Sequence, residues 1–341
     1  MGSVRLGIVG LGRLGKIHAT NISKYIPGAT LTAACSIVEE ELEFAQNELG
    51  VKEVYSTYEE MVDSPNLDAV CIVSPSGFHT EQIRLAMEKG LHVFSEKPIG
   101  LDVEDIEKTI EIINAHPEQV FQIGFMRRYD ESYQYAKEMV DNGELGELTV
   151  IRCYGIDPSS GLESFVKFAG ASNSGGLFAD MSIHDIDLVR WFTNKEIKRV
   201  WGMGKNVAYP ELDEVNELET GAAMMQLEDQ TIAILVAGRN AVHGYHVETE
   251  LIGTKGMLRV AAAPEKNLVS VFNEHGVVRP TSQHFPERFR EAFINELSEF
   301  ISCIKESRQP DVTAFDGLQG TKVAIALQQS VEINQIVELE N

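Results

Sequence analysis

Short apolar runs alternate with amphipathic helical patterns through the first 124 residues of the chain. The opening run, residues 4–9, is apolar at most positions, which is typical of a strand buried on both faces. This alternation predicts an α/β domain with a doubly wound parallel sheet over residues 1–124. The predicted strands are residues 4–9, 31–35, 54–55, 69–73, 92–95 and 120–123, and the predicted helices are residues 12–25, 39–49, 58–62, 80–89 and 103–116.

The pattern changes after residue 124, where several strand-length runs follow one another without helices between them. Turn signals such as Glu228-Asp229 separate these runs, so they predict an open, largely antiparallel sheet in an α+β domain over residues 125–341. The C-terminal helix of this domain can pack back on the first domain. The predicted strands are residues 199–204, 220–226, 231–236, 247–252, 257–260 and 268–272, and the predicted helices are residues 132–142, 183–192, 288–306 and 316–337.

Length and charge narrow the class of protein. A chain of 341 residues is too long for one ordinary core and suits two domains. The formal net charge of −23 argues against a nucleic-acid partner, which needs clustered Lys and Arg, and favours a neutral substrate over a polyanionic one. The sequence has no apolar run long enough to span a membrane. The first predicted strand begins so early that no room remains for a signal or transit peptide, and we expect a cytoplasmic protein.

The four cysteines predict neither disulfides nor a metal site. Cys35, Cys71, Cys153 and Cys303 are scattered without C-x-x-C spacing. Two of them, Cys35 and Cys71, lie in apolar strand-like runs. They are interpreted as buried thiols in a reducing compartment.

A glycine-rich turn follows the first predicted strand. Gly10, Gly12 and Gly15 fit the G-x-G-x-x-G pattern between a strand and a helix, with Arg13 and Leu14 between the last two glycines. In this setting the first glycine permits a tight turn, the second lets backbone approach a pyrophosphate, and the third lets the helix pack close to the strand. The helix N-terminus offers N–H donors to the phosphates. The turn therefore predicts a dinucleotide site.

The choice between NAD and NADP stays open at this stage. Nicotinamide-binding folds usually carry an acid at the end of the second strand, where it binds the adenosine ribose. Here that place falls on Ser36, followed by Ile37. Loss of the carboxylate removes repulsion against a 2′-phosphate, which Arg13 could contact. Ser36 can also hydrogen-bond an unphosphorylated ribose, and NAD is the slightly favoured cofactor because Ile37 and Val38 add no cation.

Two turns at the carboxyl ends of later strands predict the nicotinamide half of the site. The turn after the fourth strand carries Ser74, Pro75, Ser76 and His79, at the edge where doubly wound sheets bind ligands. The fifth strand ends in Glu96-Lys97-Pro98. A solvated salt bridge is one interpretation of that charged pair. In the other, Lys97 hydrogen-bonds a substrate hydroxyl and stabilises a developing alkoxide.

A second candidate for proton chemistry lies in the segment from Gly175 to Leu188. Asp180 and His184 are four residues apart and share one face if an α-helix includes both. A carboxylate beside a histidine fixes its tautomer and raises its basicity, so the pair could remove a hydroxyl proton while hydride leaves the same carbon. Helix capping by Asp180 is an alternative. A metal pair is disfavoured because no third ligand at zinc spacing accompanies the two residues.

Taken together, these motifs resemble the glucose-fructose oxidoreductase / inositol dehydrogenase / MocA family of NAD(P)-dependent oxidoreductases. The resemblance covers essentially the whole chain, through GLGRLGKIHA, the turn from Ser74 to His79, EKP and GGLFADMSIHDIDLVRW. It implies an N-terminal Rossmann domain and a C-terminal α+β domain. It also implies a catalytic triad of Lys97, Asp180 and His184, with the lysine often preceding a cis proline.

Within that family the chain is most similar to inositol 2-dehydrogenases. The resemblance implies oxidation of myo- or scyllo-inositol to an inosose, with Arg127 of the GFMRRYD run close to cofactor and substrate. Asp157, His243 and Tyr245 are further candidates for binding the polyol hydroxyls. It also implies a homotetramer packed through the open face of the second sheet. The alternatives are a related enzyme acting on an aldose or another sugar derivative, and a redox-inactive sensor that binds cofactor and sugar.

Overall fold

The computed structural model describes residues 2–169 and 175–339 of the chain. Contacts between residues divide it into two compact units. The first unit comprises Met1–Tyr129 and Glu291–Thr321, and the second comprises Asp130–Arg290 and Lys322–Asn341. The predicted boundary at residue 124 lies close to the first division, whereas the predicted second domain also contained residues 291–321, which have their contacts in the first unit.

The first unit is built on a six-stranded parallel sheet. The strand order β3-β2-β1-β4-β5-β6 places the reversal of the winding between β1 and β4, where doubly wound sheets bind ligands. Its strands are β1 (Val4–Val9), β2 (Ala29–Cys35), β3 (Glu53–Tyr55), β4 (Ala69–Ile72), β5 (His92–Ser95) and β6 (Phe121–Ile123), and its helices are α1 (Arg13–Lys24), α2 (Glu39–Leu49), α3 (Tyr58–Val62), α4 (His79–Glu88) and α5 (Val103–Ala115).

Two of these helix ends follow from local sequence. Helix α2 begins with three glutamates, which favour the positive end of the helix dipole, and ends at Gly50 in the left-handed conformation. Helix α5 begins after Asp102, whose side chain accepts a hydrogen bond from the backbone of Asp105. Local sequence therefore accounts for the end of α2 and for the start of α5.

The second unit is built on a seven-stranded sheet that is antiparallel except for one pair. Its order is β12-β11-β7-β10-β9-β8-β15, and β7 and β10 run parallel. The strands of the sheet are β7 (Leu148–Pro158), β8 (Ile197–Lys205), β9 (Thr220–Leu227), β10 (Ile232–Ala241), β11 (His246–Gly253), β12 (Met257–Val260) and β15 (Val337–Glu338), and β13 (Val271–Asn273) and β14 (Gly276–Val278) form a separate hairpin.

The remaining helices of the described residues follow β6 along the chain. They are α6 (Glu131–Asp141), α7 (Leu162–Ala169), α8 (Ile183–Thr193), α9 (Phe285–Arg288), α10 (Arg290–Glu306) and α11 (Ala314–Ile333). Helix α10 contributes Leu297 and Phe300 to the core of the first unit, where they are buried in one cluster with Leu6 and Ile8 of β1. Because burial of such side chains is a main stabilising term, residues 291–321 are an integral part of the first unit.

The fold class is confirmed, with a parallel sheet in the first unit and a mostly antiparallel sheet in the second. The sequence analysis missed β7, β14, α7 and α9, and it was wrong about the end of the chain. It also placed a strand at 268–272 in the open sheet, whereas β13 covers 271–273 and pairs with β14 in the separate hairpin. The last helix ends at Ile333, with Asn334 in the left-handed conformation, and Val337 and Glu338 pair with β8 as a strand. No helix within the described residues combines the length and apolar character needed to cross a membrane.

Candidate functional site

The glycine turn between β1 and α1 is shaped by close backbone contacts. Gly10 has a φ of +85°, and a Cβ placed there would lie 2.5 Å from the Val73 carbonyl oxygen. A Cβ on Gly15 would lie 1.9 Å from the Gly10 carbonyl oxygen. A Cβ on Gly12 would meet nothing within 4 Å. Gly10 and Gly15 are therefore required by the fold of the turn, while Gly12 leaves open space above the backbone.

The N-terminus of α1 has the properties of an anion site. No side chain caps the helix, and its first turn, beginning with Arg13 and Leu14, carries no acidic residue. Its first N–H groups and the positive end of its dipole therefore face the space left by Gly12. This arrangement fits the pyrophosphate of a dinucleotide cofactor.

Ser36 follows β2 and is tied to an acid that the sequence analysis did not identify. Its hydroxyl donates to Glu41 Oε2 over 2.5 Å and accepts from the Val38 backbone N–H over 3.1 Å. Glu41 lies in the first turn of α2. A carboxylate is therefore present beside the end of β2 although none occupies Ser36. The three glutamates four to six residues after the strand were the signal that could have found it. Ile37 leaves its side chain 93% exposed.

His79 connects the two turns predicted to flank the nicotinamide. Its Nδ1 lies 2.7 Å from the Pro98 carbonyl oxygen and its Nε2 lies 2.7 Å from the Ser74 carbonyl oxygen. Burial lowers the pKa of His79, and the two carbonyl contacts act in the opposite direction. We take the ring as neutral, so it donates to one carbonyl at a time. His79 therefore holds the turn of Ser74, Pro75 and Ser76 against the turn that follows Lys97.

Lys97 is half-buried at the end of the fifth strand, and its peptide bond to Pro98 is cis. Glu96 is buried instead of solvated. Its Oε1 lies 2.7 Å from His18 Nε2, and its Oε2 accepts the Lys97 backbone N–H over 3.2 Å. The solvated salt bridge considered for Glu96 and Lys97 is therefore wrong for Glu96, because that carboxylate points into the core.

Arg127 lies in a short 3-10 segment, Met126–Tyr129, which begins three residues after the end of β6, and it is buried. The neighbouring Arg128 pairs with Asp316 at 3.0 Å. A buried arginine at the carboxyl edge of the sheet is consistent in position with ligand binding, and its assignment to cofactor and substrate stays a prediction.

Asp180 lies in a π-helical turn, Phe178–Ser182, that precedes α8. Leu177 and Met181 of this region pack on Ala237 of β10. That packing brings Asp180 to Arg239, whose Nη2 donates to Asp180 Oδ2 over 2.9 Å. The guanidinium of Arg239 also lies 3.7 Å from the centre of the Phe165 ring.

The π-helical turn differs from the α-helix that the sequence analysis assumed through Asp180 and His184. Only His184 lies in α8, where it is buried. π-Helical turns are rare and occur frequently at functional sites. Arg239 was missed altogether, although a lone arginine directly after the apolar stretch from Ile232 to Gly238 was a signal for a buried partner.

The strand register places the predicted polyol-binding residues of the second unit at one end of its sheet. Ile156 of β7 is paired with both Gly238 and His246, so Asp157, Arg239 and Tyr245 each follow or precede a paired position. Tyr245 is buried, with its ring against Phe285 and Phe289. His243 differs from it, because it is exposed and its Nε2 lies 2.9 Å from His246 Nδ1.

The geometry thus gathers the predicted residues into two sets, one in each unit. The first unit holds the glycine turn, Ser36, the turn at Ser74, His79 and Lys97, and the second holds Asp157, Asp180, His184 and Tyr245, with Arg239 added. The first set can bind a dinucleotide, and the second offers a carboxylate, an imidazole and hydrogen-bonding groups to a polar substrate.

Comparison with known proteins agrees with this division. Residues 4–125 match the GFO/IDH/MocA model, described as an oxidoreductase family with an NAD-binding Rossmann fold. Residues 133–259 match the model of the GFO/IDH/MocA C-terminal domain. The chain is 31% identical over 337 residues to the myo-inositol 2-dehydrogenase of Thermotoga maritima, and the match covers 99% of each chain.

Two solved structures are similar over nearly their whole length. One is the scyllo-inositol dehydrogenase of Lactobacillus casei with bound NAD(H) and scyllo-inositol, at 62% identity and a TM-score of 0.97, covering 98% of this chain and 99% of that chain. The other is the myo-inositol 2-dehydrogenase of Lactobacillus plantarum, at 48% identity and a TM-score of 0.97, covering 99% and 100% of the two chains. The chain therefore belongs to the GFO/IDH/MocA family of oxidoreductases, which has an NAD-binding Rossmann fold.

Proposed function

We propose that this protein is an NAD-dependent inositol 2-dehydrogenase that oxidises scyllo- or myo-inositol to an inosose. The observation that carries the proposal is the similarity to the Lactobacillus casei scyllo-inositol dehydrogenase, which extends over nearly all of both chains. Because the matched structure holds scyllo-inositol and the myo-inositol enzyme is less similar, we rank scyllo-inositol first among the isomers.

We propose roles for three residues in this reaction. His184 takes the proton of the reacting hydroxyl, Asp180 orients His184, and Lys97 donates a hydrogen bond to the same oxygen. The nicotinamide, when bound, accepts the hydride. Arg239 supports the carboxylate of Asp180, since a charge-assisted hydrogen bond at 2.9 Å holds that side chain in one orientation. Arg127, Asp157, His243 and Tyr245 bind hydroxyl groups of the ring that do not react.

The preference for NAD is supported by Glu41. Its carboxylate accepts a hydrogen bond from Ser36 at the end of β2, close to where the adenosine ribose lies in such folds. A negative charge there repels the 2′-phosphate of NADP. The exposed Ile37 beside it offers an apolar surface that an adenine base would cover. The pyrophosphate is bound by the glycine turn and the N-terminus of α1.

The experiment that tests the proposed function is a set of initial rates for inositol isomers and aldoses with each cofactor. We expect reduction of NAD with scyllo- and myo-inositol, and little with NADP. Reduction with an aldopyranose and none with any inositol would contradict the inositol assignment in favour of a sugar dehydrogenase. Tight cofactor binding without turnover of any polyol would identify a sensor instead.

We also propose that the protein assembles into a homotetramer through the open face of the second sheet. Trp201 of β8 pairs in register with Met224 of β9, and their side chains are 38% and 49% exposed. Large apolar side chains on one sheet face favour burial against another copy. The proposed tetramer is tested by measuring the mass in solution of the wild type and of Trp201→Glu. An unchanged tetramer in the variant would contradict the proposed interface.

The four buried free thiols support a reducing, cytoplasmic location.

A further inference from the structure

One carboxyl group in the core of the first unit has no role in the chemistry described so far. Glu296, in α10, is 0% exposed, and neither oxygen of its carboxyl group accepts a hydrogen bond from any of the residues that the structure describes. Buried carboxyl groups are almost always paired with a donor or a cation. A fully buried carboxyl without a donor therefore requires a physical explanation.

The neighbours of Glu296 are the imidazole of His18 and the carboxyl group of Glu96. One potential ligand atom from each of the three side chains lies within 4.8 Å of the other two. His18 Nε2 and Glu96 Oε1 are 2.7 Å apart, which is a hydrogen-bond distance, so the two groups share a proton. The rings of Phe94 and Phe293 flank His18, with centroids 5.6 and 5.5 Å away. We call His18, Glu96 and Glu296 the buried triad.

The charge state of the buried triad follows from its surroundings. Burial raises the pKa of Glu296, and the carboxylate of Glu96 raises it further. Among the described residues, Cys71 and Tyr129 also interact with Glu296, and burial raises the pKa of both, so both stay neutral and neither adds a charge beside Glu296. Two carboxylates buried side by side repel each other, and sharing one proton removes that repulsion.

The buried triad is connected to Lys97 through the second oxygen of Glu96. While Oε1 lies against His18, Oε2 accepts the backbone N–H of Lys97 over 3.2 Å. The Glu96 carboxyl also lies against Gly124, where an added Cβ would come within 3.1 Å of it. The Glu96 side chain therefore helps to fix the position of the Lys97 backbone N–H.

We propose that Glu296 is a neutral carboxylic acid that donates its proton to the carboxylate of Glu96, and that Glu296 and His18 are positioning residues that fix Lys97 through Glu96. The second part rests on the catalytic role proposed for Lys97. The first part does not, because it concerns only a proton held in the core.

The proposed proton on Glu296 is tested by measuring the free energy of unfolding at several pH values. This test needs no assay of activity. A carboxyl group that stays protonated in the fold and ionises in the unfolded chain makes the protein less stable as pH rises above the unfolded pKa of about 4.3. We expect the ratio of the folding equilibrium constants of Glu296→Gln and wild type to rise about tenfold per pH unit above that value. The infrared C=O band of a protonated carboxyl should also disappear in Glu296→Gln.

The matched control is Glu291→Gln, which removes an exposed carboxyl from the same helix. Its stability relative to wild type should not change with pH in this way. A ratio for Glu296→Gln that is independent of pH, together with no change in the infrared band, would overturn the inference that Glu296 is neutral.

Positioning is tested by a double-mutant cycle with Lys97→Ala. We expect Glu296→Leu to lower kcat about tenfold or more with little change in the KM for the polyol, and Glu296→Gln to retain most of the activity. The effect of Glu296→Leu should vanish in the Lys97→Ala background, since the two act through one group. An effect that persists there would overturn the positioning role.

His18→Gln provides a second variant for the same cycle in case Glu296→Leu does not fold. We expect the same loss of kcat and the same absence of effect in the Lys97→Ala background. Full activity of Lys97→Ala alone would contradict the catalytic role proposed for Lys97 and with it the positioning role, whereas the unfolding and infrared measurements would still decide the state of Glu296.

Discussion

Arg239 donates a hydrogen bond from Nη2 to Oδ2 of Asp180 over 2.9 Å, and its guanidinium lies over the ring of Phe165. The arginine side chain is 6% exposed, whereas that of Asp180 is 37% exposed. The buried partner therefore fixes the orientation of a carboxylate that remains accessible. Arg239 belongs to the candidate site for this reason.

Replacement of Arg239 should impair the reaction without impairing cofactor binding. A hydrogen bond to a charged group contributes about 1.5–3 kcal/mol, so Arg239→Met should lower kcat/KM for the polyol roughly tenfold to hundredfold. Arg239→Lys should restore little, because lysine lacks the planar guanidinium that stacks on Phe165. Arg199→Met, which changes an exposed arginine of β8, is the control. Unaltered kinetics in Arg239→Met would contradict the role.

Removal of the proposed catalytic groups should affect turnover far more than NAD affinity. His184→Ala and Lys97→Ala should each reduce kcat by roughly two decades or more, the range of lost general acid–base catalysis. The dissociation constant of NADH, measured by its fluorescence, should change little in His184→Ala. Full turnover by that variant would show that another group accepts the proton.

Replacement of Gly12 and of Gly15 by alanine should have different effects on stability and on cofactor binding. Gly15→Ala places a Cβ 1.9 Å from a backbone oxygen, so we expect loss of stability and of cofactor binding together. Gly12→Ala meets no atom within 4 Å, so its thermal stability should equal that of the wild type. Its NAD affinity should still fall, because the methyl group occupies the space next to the pyrophosphate. Equal NAD affinity in Gly12→Ala would place the pyrophosphate elsewhere.

Glu41 should control the choice between the two nicotinamide cofactors. Glu41→Gln removes the negative charge beside Ser36 while keeping an acceptor for its hydroxyl. We expect kcat/KM for NADP to rise relative to that for NAD by about tenfold, a change of about 1.4 kcal/mol. Glu43→Gln, an exposed acid in the same helix, is the matched control. A ratio that moves equally in both variants would attribute the effect to net charge alone.

The lowered pKa of His79 predicts how the stability of the protein depends on pH. Because the fold lowers its pKa from 6.5, its stabilising contribution is complete above about pH 6.5 and is lost as the pH falls towards the folded pKa. His79→Ala removes the ring N–H that donates to one of the carbonyl oxygens of Ser74 and Pro98, which should cost about 1–3 kcal/mol at pH 7.5 and less at acidic pH. Chemical unfolding at both pH values measures this.

The control for His79 is His275→Ala, which removes a histidine that is 77% exposed. Its stability should match that of the wild type at both pH values. A cost of His79→Ala that is the same at acidic and neutral pH would show that the ring acts through packing alone.

The first sheet was predictable because its strands are buried on both faces. Runs such as Ala69–Ile72 are then apolar throughout, and glycines such as Gly50 end the helices between them. Strand β7 was missed because it combines a buried face with a charged one. Arg152 in its centre pairs with Glu250 of β11 at 3.0 Å, a partner that is nearly one hundred residues away in the chain.

The parts of the candidate site that were missed depend on similar long-range contacts. The register of β7 with β10 sets the position of Arg239 relative to Asp157, and packing of Met181 on Ala237 brings Asp180 to it. Neither contact follows from local sequence. Lys97, Asp180 and His184 could be chosen as candidate catalytic residues from sequence motifs alone. The hydrogen bond from a buried guanidinium to Asp180 could be recognised only in the folded sheet.

The composition of the first unit from two separated segments also bears on biosynthesis. Leu297 and Phe300 of α10 complete a core whose other members, such as Leu6 and Ile8, leave the ribosome almost three hundred residues earlier. The nascent N-terminal sheet must therefore wait with an uncovered apolar face while the whole intervening half of the chain is translated. This apolar face of the sheet is therefore expected to be covered only after residues 297–300 of α10 have been synthesised.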